Sequence, residues 1–261
     1  MIASRSNHVR LSFCTTCMGR KHHLEKTLPE NLNCIQQFEA VEINLIDYSS
    51  PDGLEEWIHN NFSKSLQTGH LVYAKVMGCN YFQVAHAKNI AHRLASGKIV
   101  CNLDADNFVE PKFVSTLLST FTARNRIFSW FGRHGGGFGR IAMRKYDFAA
   151  LGGYDERMTF GWGFEDNDLV LRAIALGLKA VILDSNFATS IEHPNEERVR
   201  FCHIRDCNQS REIHKMMSET SRRSGQLVAN LNQEWGWAPR LKVVCNNLHA
   251  PMNSVIKTNF T

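Results

Sequence analysis

Over the first hundred residues, apolar side chains recur with a period of two in short runs, separated by stretches in which the spacing becomes three and four. The run VRLSFCTT at 9–16 puts Val9, Leu11 and Phe13 on one face and predicts a strand. Residues 19–32 follow with helical character. Val41, Ile43 and Leu45 restore the period of two before the chain breaks at Ser49-Ser50-Pro51-Asp52-Gly53, a dense cluster of turn formers. Residues 54–62 read as a helix and 70–76 as a β-rich run. Val84, Ala87, Ala91 and Leu94 then define a helix stopped by Gly97, and KIVCNLDAD at 98–106 predicts the next strand. Strands alternating with helices at this spacing predict an α/β fold, a mostly parallel sheet covered on both faces. Ligands collect at the carboxyl ends of such strands, where Asp47, Asp104 and Asp106 stand.

Beyond this point the pattern weakens. Residues 126–158 are rich in glycine, and Gly135 to Gly137 predict a mobile loop. GWGFEDNDLVLR, from 161, opens with turn residues, becomes an amphipathic helix and leads to a strand at 180–184. From about residue 195 the chain is polar and helical, an appended element without a core of its own. There is no internal repeat and no low-complexity tract.

Composition adds limits. A chain of 261 residues with 43% hydrophobic content has the means for a real core, which excludes a disordered chain. The net charge of +5 arises from 30 basic and 25 acidic residues with no long run of one sign. This does not favour nucleic acid as a partner; it fits an ordinary solvated surface or an anionic small molecule. No signal-peptide pattern opens the sequence and no segment approaches the length of a membrane span, so a soluble, cytoplasmic protein with reduced thiols is expected from its eight scattered cysteines. Nothing in the sequence fixes an oligomeric state.

At the end of the strand at 98–106, Asp104 and Asp106 project to the same side, since alternate side chains share a face. Two neighbouring carboxylates repel unless they share a cation or a proton, and Mg²⁺ or Mn²⁺ commonly takes one or two carboxylates with substrate phosphates completing its shell. A capping pair explains the same residues as readily. Glu165, Asp166 and Asp168 fall in the first turn of the helix that follows Gly163, where they complement the helix dipole. Dipole compensation leaves Trp162, set between Gly161 and Gly163, without a reason; a flat ring offered to a sugar, with a carboxylate beside it to accept a hydroxyl proton, supplies one. Cys14 and Cys17 have no second C-x-x-C to complete a zinc site. The glycine loop lacks the spacing of a phosphate-binding P-loop and fits a mobile lid better.

Taken in order, Asp47, AHAKN at 85–89, LDAD at 103–106, GGYDE at 152–156 and GWGFEDND at 161–168 resemble the nucleotide-sugar-dependent glycosyltransferases of the GT-A fold. The set is most similar to family 2-type enzymes, with a C-terminal half like that of the galactosyltransferase and N-acetylgalactosaminyltransferase group. The resemblance implies a Rossmann-like, mostly parallel sheet flanked by helices. It divides the chain into a GT-A domain at 1–194 and a helical C-terminal extension at 195–261. Within the first, a nucleotide-sugar part spans about 9–110 and an acceptor and catalytic part about 128–194.

By the same resemblance Asp47 contacts the nucleotide base, although Tyr48 and Ser49 replace the acid and glycine that usually follow it. Thr15 and Arg20 lie near the nucleotide, Lys88 and Asn89 stand where relatives carry Arg-Asn, and Trp162 serves the sugar. Asp104 is shared between ribose and metal, Asp106 binds the Mn²⁺ or Mg²⁺, and His193 supplies a third ligand, with His203 as the fallback. Asp166 is the catalytic base, Glu165 binds acceptor or donor hydroxyls, and the Glu-Asp pair implies inversion. The implied reaction moves a hexose or N-acetylhexosamine from a UDP-sugar to an acceptor hydroxyl. The acceptor, whether glycan, lipid-linked sugar, protein or small molecule, is left open. Two alternatives remain: a sugar nucleotidyltransferase, which would want a more basic, glycine-rich first loop, and a binding protein that keeps the fold without catalysis.

Overall fold

The computed structural model describes residues 10–121, 127–131, 137–187 and 189–244. In chain order its elements begin with β1 (Leu11–Cys17), α1 (Lys21–Ile35), β2 (Val41–Tyr48), α2 (Leu54–Asn61), α3 (Ser63–Thr68), β3 (Leu71–Val76), α4 (Val84–Leu94) and β4 (Ile99–Asn102). They continue with α5 (Pro111–Thr120), β5 (Ile127–Trp130), β6 (Ala142–Arg144), α6 (Lys145–Ala150), α7 (Glu165–Ala175), β7 (Lys179–Ile182), α8 (Asn195–Val199), α9 (Cys207–Arg223) and β8 (Leu241–Val244). Among the described residues the strands form one sheet in the order β7-β5-β6-β4-β1-β2-β3-β8. The β1–β2, β1–β4, β2–β3 and β5–β7 pairs are parallel, so the expected mostly parallel α/β sheet is what the chain forms.

β1 and β2 are buried on both faces although their sequences alternate, and their buried polar residues pair with one another, Ser12 Oγ donating to Glu42 Oε1 at 2.7 Å. Leu11, Phe13 and Cys17 of β1 face a layer built on α1, α2 and α5 through Leu24, Leu28, Ile58 and Phe113. Cys14, Ile46 and Val100 face the opposite layer, in which α4, α6 and α7 contribute Ile90, Phe148 and Leu169. Cys14 and Cys17 thus point to opposite sides of the sheet and form no common site.

Three features differ from the sequence reading. β4 stops at Asn102, and Asp104 and Asp106 lie on the turn beyond it, closed by the Asn107 amide donating to Asp104 O at 3.0 Å. Their relation is set by that turn and not by strand alternation. β5 and β6 pass unannounced within the glycine- and aromatic-rich stretch, and β6 runs antiparallel to both β4 and β5. The C-terminal segment contains helices, but it also returns a strand: β8 pairs antiparallel with β3 and caps that edge. Gly135 and Gly136 of the expected lid lie outside the described residues.

Candidate active site

A cleft of about 610 Å³ opens at the carboxyl ends of β1 and β4, and its other wall is the start of α7. Of the residues singled out in the sequence, Arg20, Lys88, Asp104, Asp106, Trp162, Glu165, Asp166 and His193 line it. Thr15, Asp47 and Asn89 do not line it, for separable reasons. Thr15 shares a β1 face with Leu11 and Phe13, so Thr16 is the threonine that reaches the cleft. Asp47 is fully buried, accepting from the Tyr73 hydroxyl and the Ser50 amide, each at 2.6 Å. Asn89 is spent on structure: its amide donates to Tyr154 O and Glu156 Oε1 at 2.9 Å, and its oxygen accepts from the Tyr154 amide at 2.8 Å. His203 is exposed and packs edge-on against Tyr81, away from the lining.

At one end of the cleft the 189–193 segment is laid against the turn after β4. Phe108 N donates to Thr189 O at 3.0 Å, Ile191 N donates to Asp106 O at 2.8 Å, and Asn107 bridges to Ser190. That pairing carries His193 Nε2 to 3.0 Å from Asp106 Oδ2. Arg140, fully buried and overlooked in the sequence, ties the two strips together. Its guanidinium donates to Asn107 Oδ1 at 2.7 Å, Phe108 O at 3.1 Å, Phe187 O at 2.5 Å and also to Thr189 O. Burial works to raise the Asp106 carboxyl, but His193 outweighs it and holds the group below its usual range. A hard carboxylate oxygen and an imidazole nitrogen at this separation fit a divalent cation of the Mn²⁺ type.

At the other end, Phe164 takes a left-handed φ of 74° and turns the chain into α7, placing Glu165 and Asp166 in its first turn. Arg172 pins that helix, bonded to Asp168 Oδ2 at 2.7 Å and to the Leu151 and Gly153 carbonyls at 2.7 and 2.8 Å. Lys88, on α4 and 3% exposed, donates to Glu165 Oε1 at 3.0 Å and Asp166 Oδ1 at 2.8 Å. Its ammonium is therefore held by carboxylates. Burial, with Glu165 and Asp104 repelling and Lys88 opposing, leaves the Asp166 carboxyl pushed up to about 7. Burial also works to raise Glu165, but Lys88 keeps it below its ordinary value. Within one cluster, one acid is kept ionised and its neighbour is poised near neutrality.

Gly139 lies between the two ends. A methyl group there would stand 2.9 Å from Asp166 Oδ2 and 3.1 Å from Asp104 Oδ2, so both carboxylates face the same bare backbone. Asn102 holds that arrangement by donating to Asp104 Oδ1 at 3.1 Å and Gly139 O at 3.0 Å. Gly161 has a packing reason of its own, because a Cβ would come within 2.2 Å of Ser210 on α9. Trp162 lines the cleft with the Arg198 guanidinium 4.9 Å above its ring, so one face of the indole is occupied.

Solved structures of similar fold include mannosyltransferase PcManGT from Pyrobaculum calidifontis, in complex with GDP-Man and Mn²⁺, at 17% identity and TM-score 0.55 over 67% of this chain and 54% of that one. S. aureus TarS 1–349 aligns at 12% identity and TM-score 0.54, over 67% and 59%. The catalytic domain of Drosophila beta1,4galactosyltransferase 7, in complex with xylobiose, aligns at 14% identity and TM-score 0.52, over 81% and 79%. The chain thus spans little more than half the length of the first two. No curated protein matches it. At these identities the likeness concerns fold, but the model of Glycosyl transferase family 2 matches residues 12–174, more than half of the sequence. The chain belongs to glycosyltransferase family 2 and has the GT-A fold.

Proposed function

We propose that the chain transfers a hexose or N-acetylhexosamine from a UDP-sugar to an acceptor hydroxyl, with inversion. The observation that carries this reading is the union, in one cleft, of the Asp106–His193 pair with the buried Lys88–Glu165–Asp166 cluster. In it Asp106 and His193, with Asp104 alongside, would hold a divalent cation. The cation, when bound, supplies positive charge to the departing nucleoside diphosphate.

The remaining steps belong to the chain itself. Asp166 accepts the proton of the acceptor hydroxyl as that oxygen attacks the anomeric carbon, and a base poised near 7 suits this task at neutral pH. Lys88 orients Asp166 and prevents Glu165 from competing for the proton. Trp162 presents its free face to a sugar ring, while Arg198 fixes the other. With Asp166 as base and no carboxylate assigned as nucleophile, a single displacement inverts the anomeric centre.

A mutant of the Drosophila galactosyltransferase was also solved in complex with manganese, UDP-Gal and xylobiose, and aligns at TM-score 0.51 and 15% identity. The mannosyltransferase carried GDP-Man, so the nucleotide is the part to test first. The experiment is a panel of UDP- and GDP-sugars with Mn²⁺, following nucleotide release with and without candidate acceptors and the anomeric configuration of product by NMR. Release from UDP-sugars alone, with inverted product, is expected. Release confined to GDP-sugars would move the donor assignment, retained configuration would remove the single displacement, and no binding of any nucleotide sugar would sink the reading.

A further inference from the structure

Outside the cleft, the first turn of α1 and the short helix α8 bring three metal-binding side chains to one point. His22 Nε2 lies 2.9 Å and His23 Nε2 3.1 Å from the same atom, Glu197 Oε1, and all three donors fall within 4.8 Å of one another. Consecutive residues on a helix diverge by roughly 100°, so two adjacent imidazoles turned onto one oxygen is a demanding arrangement. His23 reaches it from the buried side with its side chain 4% exposed, and His22 from the solvent side with 54% exposed. We propose that His22, His23 and Glu197 form a second cation site, for an ion of the Zn²⁺ class, distinct from the Asp106–His193 pair.

The donor set argues for the class of ion. Two imidazoles and one carboxylate suit zinc and its first-row neighbours, whereas Mg²⁺ and Ca²⁺ prefer a shell of oxygens. Ligand bonds of about 2.0–2.1 Å in tetrahedral geometry space the donors about 3.3 Å apart, only a few tenths of an ångström wider than the separations between the histidines and Glu197. The imidazoles bind as neutral rings through Nε2, each keeping its proton on Nδ1. Three protein ligands leave the position on the open His22 side for water or an anionic ligand.

The place of the site gives it consequence. Glu197 is followed by Arg198, whose guanidinium covers Trp162, and the two histidines follow Arg20, which also lines the cleft. The His23 ring lies 5.0 Å from that of His193. An ion here clips α1 to α8 and so fixes the wall of the cleft beside the donor site.

The test uses the full chain stripped of metal and titrated with Co²⁺ and Zn²⁺ without nucleotide, so its outcome is independent of glycosyl transfer. Asp106→Asn removes the cleft ligand and is expected to keep about one equivalent of Co²⁺, with the visible spectrum of a four-coordinate ion. Adding His22→Ala to that variant should weaken binding at least tenfold and abolish the spectrum, since loss of outer partners alone costs about 10–100-fold. Glu197→Gln in the same background should do likewise, while both chains keep their circular dichroism. Retention of Co²⁺ affinity after His22→Ala and Glu197→Gln, or failure of Asp106→Asn to bind Co²⁺ at all, would overturn the site.

Discussion

The two ends of the cleft are made from the same kinds of residue and behave oppositely. Asp106 sits on a turn beside an imidazole that draws its carboxyl down and keeps it ionised. Asp166 sits at the head of a helix, mostly buried, beside a second carboxylate, with its proton held to about 7. In the proposed mechanism the paired histidine suits Asp106 to hold a cation, and the dry setting suits Asp166 to accept a proton. The difference teaches that role follows the immediate partner and the access of water more than residue type.

The sharpest way to break that division is to neutralise each end separately. Asp166→Asn should lower kcat by about 10²–10⁴-fold, with nucleotide-sugar affinity in Mn²⁺ unchanged by calorimetry. Asp106→Asn should do the reverse at first sight, weakening Mn²⁺-dependent nucleotide affinity by about 10–100-fold or more. If both variants lost nucleotide affinity equally, the two ends would not be separate.

Lys88→Met tests what keeps the proton end distinct. Removing one partner of a buried ion pair costs about 3–5 kcal/mol, readable by urea denaturation. It also has a signed pH signature. Asp166 must be ionised to act, so kcat/KM of the wild type should rise with pH through about 7 and fall away below it. Lys88 lowers the Asp166 pKa, so the variant's rising limb should move to higher pH. A limb that stays in place would assign the titration to another group.

Gly139→Ala should have the smallest effect. The added methyl meets both Asp104 and Asp166, and a loss of about tenfold in kcat/KM is expected with stability changed by about 1–3 kcal/mol, the scale of overpacking a tight site.

How much of this could be read from the sequence depended on range. β1 and β2 announced themselves through apolar residues at every second position, and β3 and β4 through short β-rich apolar runs. β5 and β6, of four and three residues within a glycine- and aromatic-rich stretch, are too short for a period to register. The same local rule that found β1 separates Thr15 from Thr16, since alternation from Leu11 and Phe13 turns Thr15 to the core. Arg140 and the engagement of Lys88 left no local trace. Both depend on contacts between segments far apart in the chain: Arg140 with Asn107, Phe108, Phe187 and Thr189, and Lys88 with Glu165 and Asp166. Asn89 sits next to Lys88 in the motif and yet serves the packing of Tyr154, showing that a motif can mix chemistry with masonry.

The pairing of β8 with β3 also has a meaning during synthesis. Val76 finds its partner only when Leu241 has been made, so β3 is an open edge while residues 77–240 are translated. A ribosome stalled before that point leaves a strand bearing unpaired amides and carbonyls, a template for another nascent chain. Arrival of β8 closes that template by pairing its amides and carbonyls.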